Sequence, residues 1–206
     1  MRRIAAGFAI AALAMVCVPG VASADSGSTH SPTALLQGYQ SQLLGMTDAD
    51  PFLFGDGCIG GTSKDDPLYM LSPSTDPATT EAACSVSKNA RVVITAAGIT
   101  CWQPTLSDAT EECETAWADP ATILQQASVT IDGKSKQLTT YRVSDSFTFP
   151  DGAILDAPGL ETVYYGISTS VIVHGLSPGV HQVSVSFAYA DGFAGATTFA
   201  LTVAKN

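Results

Sequence analysis

Few side chains in this sequence could do chemistry. Two of its three histidines, His174 and His181, stand seven residues apart in the stretch His174-Gly175-Leu176-Ser177-Pro178-Gly179-Val180-His181. Imidazole is the side chain best suited to proton transfer near neutral pH, and with a turn serine and a carboxylate it makes a hydrolase. A secreted hydrolase built here would use His174 or His181 with a carboxylate from elsewhere in the chain. As metal ligands the pair is two donors with no carboxylate beside them, short of what zinc requires. The plainer reading is structural: His174 and His181 flank a Ser177-Pro178-Gly179 turn, and His181 donates to a turn carbonyl and holds the loop. A four-residue loop would set His174 opposite His181 in a hairpin, and a five-residue loop would set it opposite Val180.

Acidic and aromatic side chains offer two other chemistries. Asp48, Asp50 and Asp56 present oxygen ligands in one loop, with Asp65 and Asp66 nearby, a weak calcium candidate whose spacing is not that of an EF-hand. Glu111, Glu112 and Glu114 are further acids, but nothing singles out a pair at glycosidase spacing. Trp102 follows Cys101, and Trp117 lies just past Cys113. Tyr164 and Tyr165 are adjacent in a strand, so one of them faces out. Exposed Trp102, Trp117, Tyr164 and Tyr165 on a rigid β scaffold would form a surface on which sugar rings stack; otherwise the tryptophans cap a core edge.

The composition narrows the class. Arg2 and Arg3, the apolar run Ile4 to Val18, and Ala22-Ser23-Ala24 have the layout of a secretory signal peptide, residues 1–24. Cys17 lacks the small preceding residue of a lipoprotein signal. Cleavage after Ala24 leaves seven Lys/Arg against nineteen Asp/Glu, a net charge of −12 with neutral histidines. That balance argues against nucleic acid and anionic membrane as partners, and favours solubility and a weak attraction for cations. No later stretch is long and apolar enough to span a bilayer. Cys58, Cys84, Cys101 and Cys113 remain, an even number that in an exported chain reads as two disulfides. Three pairings are open. The sequential one, Cys58–Cys84 and Cys101–Cys113, closes two modest loops without crossing, each worth roughly 3 kcal/mol. No motif requires a cofactor.

The elements that must position these residues are mainly strands. Residues 25–31 read as a disordered polar tail. Ser31-Pro32 reads as a helix start, followed by Leu35, Leu36, Tyr39, Leu43 and Leu44 at helical spacing and a stop at Gly45. Strands are expected at Leu68–Leu71 and Arg91–Ala97, and a short helix at Ala121–Gln126. Ser128–Ile131 and Lys134–Leu138 flank Asp132-Gly133, a strong hairpin signal. Tyr141–Val143, Ser146–Phe149, Val163–Val173, Val180–Tyr189 and Thr197–Val203 complete the set. His181, Val183, Val185, Phe187 and Tyr189 share one face of their strand. The expected fold is a single disulfide-stabilised β-sandwich over residues 32–206, jelly-roll or immunoglobulin-like, with one short N-terminal helix.

The order of these features resembles a family of exported bacterial proteins of unassigned function. The residues that carry the resemblance are Cys58-Ile59-Gly60-Gly61, Leu68–Leu71, and Cys84-Ser85-Val86 leading to Arg91–Ala97. They continue with Cys101 and Cys113, Val129–Gly133 as V-x-x-D-G, and Leu176–His181 as L-x-P-G-x-H. The final strands also resemble the closing hairpin of immunoglobulin-like domains. The sequence departs from the family at Ser87-Lys88-Asn89-Ala90. The resemblance implies a fold and a compartment and carries over no functional residue. The expected role is a non-catalytic binding module, secreted or held at the cell envelope. Its ligand would come from the envelope or the extracellular space, a glycan among the possibilities. A structural protein–protein interaction domain is a further alternative.

Overall fold

A computed structural model describes residues 31–46, 58–71, 81–120, 123–153 and 159–205. The signal-peptide segment, the tail up to residue 30, and the calcium candidates Asp48, Asp50 and Asp56 lie outside the described residues. Ser31 is the N-cap of helix α1 (Pro32–Leu44), as Ser31-Pro32 leads one to expect: its Oγ accepts from the Ala34 amide at 3.2 Å. Ten strands follow, with a second helix among them. They are β1 (Cys58–Gly60), β2 (Leu68–Leu71), β3 (Glu81–Val86), β4 (Val92–Gln103), α2 (Leu106–Ala118), β5 (Leu124–Ile131), β6 (Lys134–Ser135), β7 (Thr139–Thr148), β8 (Glu161–Val173), β9 (Gly179–Tyr189) and β10 (Ala194–Val203).

The protein is mainly β, in two five-stranded sheets. The first runs β1-β2-β4-β8-β7 and the second β3-β10-β9-β5-β6. β2–β4 and β3–β10 are parallel pairs, and the other pairings are antiparallel. The strand alternation that makes one face apolar builds a shared core between the sheets. Met70, Val92 and Ile94 of the first sheet pack with Val129, Val183, Val185, Phe199 and Leu201 of the second. Cys58 on β1 is bonded to Cys84 on β3, so one disulfide joins an edge of each sheet.

The opposite face of the first sheet is covered by α1, whose Leu35, Leu36, Tyr39 and Leu44 pack on Tyr69, Val93, Val143 and Tyr164. A polar seat lies under the same helix. Buried Gln40 donates to Ser168 Oγ at 2.8 Å and accepts from Thr100 Oγ1. Gly166 makes room for it: a Cβ there would stand 2.6 Å from the Gln40 amide.

Several expectations need correcting. Among the described residues the second helix is α2, at Leu106–Ala118, where none was expected. β4 and β8, at 12 and 13 residues, extend beyond what the second sheet covers, and α2 covers the remainder. Thr105 caps α2, its Oγ1 accepting from the Asp108 amide, and the buried stripe Ala109 and Cys113 continues to half-buried Trp117. This stripe was hidden inside a segment expected to be a disulfide loop. The helix expected at Ala121–Gln126, just after Asp119-Pro120, is replaced from Leu124 onward by β5, whose pairing with β9 outweighs that local helix-start pair. Tyr141–Val143 and Ser146–Phe149 form one strand, β7. β6 stops at Ser135, short of the expected Leu138. Asp132 and Gly133, at φ 51° and 72°, form the two-residue turn between β5 and β6.

The hairpin expected around His174 and His181 does not exist. β8 pairs with β4 and β7, whereas β9 pairs with β10 and β5, so residues 174–178 cross from one sheet to the other. His181 faces Leu201 across the ladder, and neither expected register applies.

Candidate functional site

Residues 174–178 carry chemistry on both sides of the crossing. At the end of the crossing, His181 is core-facing and 8% exposed. Its Nδ1 lies 2.7 Å from Asp132 Oδ2, and its Nε2 lies 2.8 Å from the Ser177 carbonyl oxygen and 3.4 Å from Ser177 Oγ. The other oxygen of Asp132 accepts from the Gln182 amide at 3.0 Å. The segment Gly175-Leu176-Ser177-Pro178-Gly179 also spells the Gly-x-Ser-x-Gly of a nucleophile elbow, a sequence signal for the serine alone. It joins strand to strand, however, where the elbow joins strand to helix.

The hydrogen bonds decide what this set can do. A carbonyl oxygen has no proton to give, so Nε2 must carry one. The Asp132 carboxylate opposite Nδ1 likewise calls for a proton there. In this arrangement a protonated His181 donates from both nitrogens and, while charged, has no lone pair to accept the serine proton. The Asp132 carboxylate foremost, then the Ser177 carbonyl, raises the His181 pKa above its ordinary value, and burial opposes the rise. The His181 hydrogen bond, then the Gln182 amide, lowers that of Asp132. The arrangement is a clamp on the crossing loop. Asp132 comes from 49 residues away, and no local spacing announces it.

At the start of the crossing, His174 is exposed and lines a cleft of about 270 Å³ with Lys64, Asp65, Asn89, Arg91 and Gly175. Three loops meet there because the strand registers bring their ends together. Leu68 pairs with Val92 and Val92 with Val173, so the residues just outside these strands share one end of the first sheet. Hydrogen bonds tie two of the loops: Leu68 N to Arg91 O at 2.8 Å, and Ser87 N to Gly61 O at 2.7 Å. Asp66 Oδ2 accepts from both the amide and hydroxyl of Thr62, at 2.8 and 2.7 Å, and so shapes the loop that carries Lys64. Asn89 and Gly175 both hold left-handed backbone, at φ 68° and 69°. Lys64, Asn89 and Arg91 carry no motif. Their signal in sequence is the gathering of Lys64, Lys88 and Arg91 in a chain short of cations.

The aromatic candidates are not brought together. Trp102 lies on the α1 side of the first sheet, its ring 6.0 Å from that of Phe149 and edge-on. Trp117 lies on the other side, packed with Cys101, Cys113, Ile99 and Tyr165. Tyr164 is fully buried and donates to the Gln37 carbonyl at 3.1 Å, with burial pushing its phenol up to about 12. Tyr165 donates to Glu114 Oε1 at 2.7 Å. Burial foremost, then the Glu114 carboxylate, pushes the Tyr165 phenol up to about 12. Glu114 also receives Arg142 through Nε and Nη2 at 2.7 and 3.2 Å, and that guanidinium foremost lowers its carboxyl pKa. Cys101 and Cys113 are bonded to each other, which fixes α2 to β4. Among the described residues no group of three His, Cys, Asp or Glu side chains is placed to hold a metal ion. No helix among them is long and apolar enough to cross a membrane.

No protein-family model matches the chain, and no curated protein does. Three solved structures show slight likeness. PbICP-C, solved in complex with falcipain-2, is 11% identical over 66% of this chain and 98% of its own, at a TM-score of 0.25. Amebosin is 11% identical over 66% and 95%, at 0.23. InlP of Listeria monocytogenes is 15% identical over 61% of this chain and 27% of its own, at 0.22. At these TM-scores the likenesses carry no argument about fold or function.

Proposed function

We propose that this chain is an exported, non-catalytic binding module, secreted or held at the cell envelope, whose ligand is an envelope or extracellular glycan. In this reading the two sheets form a β-sandwich of immunoglobulin-like rather than jelly-roll type, and the chain belongs to the exported family of unassigned function that its motif order resembles. The observation that carries the reading is the cleft built by three loops at one end of a frame cross-linked between its sheets. Rigid β frameworks with loops gathered at one end are a recurrent way to present binding residues. The signal-peptide layout and the two disulfides support export into an oxidising compartment. Neither nucleic acid nor membrane is among the proposed partners, and no cofactor is. The aromatic stacking surface gives way to the loop end, because Trp102 and Trp117 lie on opposite faces of one sheet.

The test is a thermal-shift screen of the disulfide-bonded chain against neutral and acidic glycans. A ligand at 100 times its dissociation constant stabilises by about 2.7 kcal/mol, a rise of roughly 5–10 °C for a domain of this size. No shift with any glycan would overturn the glycan reading. One observation favours a second reading, a hydrolase: Ser177 Oγ, His181 and Asp132 lie within reach of one another. Turnover of ester or glycoside substrates that disappears in Ser177→Ala would establish it against the binding module.

A further inference from the structure

We infer that the cleft of Lys64, Arg91 and His174 binds a single oxyanion-bearing group, a carboxylate, sulfate or phosphate carried on a ligand no larger than about one sugar ring. The inference rests on the binding-module reading and gives its ligand a charge and a site.

The first argument is charge placement. Residues 25–206 hold seven Lys/Arg against nineteen Asp/Glu, so cations scattered at random would each meet acids. Two cations elsewhere are gripped by an acid, Arg142 by Glu114 and His181 by Asp132. At the cleft the local balance is the reverse of the chain's. Lys64, Arg91 and His174 arrive from three different loops, and Asp65 is the single acid on the wall. The Lys64–Asp65 contact is 3.8 Å long with both side chains about 70% exposed. Such a pair is worth little in water, and an incoming anion can displace it.

The second argument is order. Arg91 is fixed where β4 begins, because its carbonyl accepts from Leu68. The Lys64 loop is shaped by Asp66, and the His174 loop is held at its far end by the His181–Asp132 clamp. Left-handed Asn89 and Gly175 fix the turns on either side. Backbone held in place before the ligand arrives leaves only the side chains to be ordered on binding it, which lowers the entropy lost. A guanidinium, an ammonium and an imidazole, with the Asn89 amide beside them, are the donors an oxyanion requires.

The third argument is size. A cleft of about 270 Å³ lies just under the range of drug-sized ligand pockets. It suits one charged group rather than a length of polymer.

The probes are sodium sulfate, inorganic phosphate and galacturonate, with galactose as the neutral sugar, titrated calorimetrically into the disulfide-bonded chain at fixed ionic strength in chloride. Saturable binding of at least one oxyanion, above chloride and absent for galactose, is expected, and the three probes separate sulfate, phosphate and carboxylate sources. Lys64→Gln and Arg91→Gln should each weaken that binding about tenfold or more. Lys205→Gln, an equal loss of charge outside the cleft, should leave it unchanged. Lys64 is on an exposed loop, so Lys64→Gln tests the site even if Arg91→Gln misfolds. Oxyanions that bind no better than chloride, or equally well to Lys64→Gln and Lys205→Gln, would overturn the inference. A neutral glycan that binds and is indifferent to both cleft substitutions would overturn it too, while leaving the binding module standing.

Discussion

α1 and α2 are both 13 residues long and both dock on the first sheet, on opposite faces, yet they are held there by different means. α1 buries Leu35, Leu36, Tyr39, Gln40 and Leu44, and no covalent bond ties it down. α2 buries only Ala109 and Cys113. Beyond these and half-buried Trp117, it is attached by the Cys101–Cys113 bond, the forked Arg142–Glu114 pair and the Tyr165 hydroxyl. An apolar face wide enough to remove several large side chains from water holds a helix by itself. A face of one alanine, one cysteine and one half-buried tryptophan removes less from water, and the covalent and ionic links supply the rest.

That contrast can be broken from either side. The largest loss is expected for Leu36→Ala, since the side chain is fully buried under α1: about 3–4 kcal/mol, read from the midpoint of denaturant unfolding. A loss under about 1 kcal/mol would mean that α1 is not held by its apolar face. Next comes the double substitution Cys101→Ala with Cys113→Ala. The bond spans 12 residues, so its removal should cost about 3 kcal/mol, with amide exchange rising first in 106–118 while 92–97 stays protected. Uniform exchange across both segments would show that α2 and the sheets open together. Glu114→Gln sharpens the same point at a smaller scale. The pair is about 40% exposed on each side but two-pronged, so about 1 kcal/mol is expected, again with exchange concentrated in α2.

The same contrast explains what could be read in advance. α1 was legible because Ser31-Pro32 and the Leu35, Leu36, Tyr39 and Leu44 spacing are local facts of the chain. α2 was not, because its buried stripe is Ala109, Cys113 and Trp117, too thin a signal beside four acids. Alternation made β9 legible to within one residue and β10 to within three. What could not be read was which sheet each strand joins. β8 and β9 are consecutive and separated by a turn sequence that suits a hairpin, and only long-range pairing sends them to different sheets. The site suffered the same limit. His174 and His181 stand close in the sequence, but Asp132 and Lys64 reach them across the fold, and pairing at distances of 49 residues or more leaves no local pattern.

The smallest predicted effect concerns the clamp on the crossing loop, and its sign follows from the two groups. His181 has its pKa raised above 6.5, so what it contributes is fully present below about pH 6.5 and is lost as the pH rises through the raised value. Asp132 has its pKa lowered from 3.8, so its contribution is present above about pH 4 and is lost as the pH falls through the lowered value. The clamp is therefore complete between about pH 4 and pH 6.5. Residues 174–178 should exchange amide hydrogens faster at pH 9 than at pH 6, after correction for intrinsic rates. In His181→Asn, which cannot become a cation, that difference should disappear. Asp132→Asn should weaken the clamp at pH 6 while its side-chain oxygen still caps Gln182, so its exchange at pH 6 should resemble that of the natural chain at pH 9. If Asp132→Asn instead leaves the loop as protected as before, the carboxylate is not what charges His181, and a neutral imidazole able to accept a proton from Ser177 would have to be reconsidered.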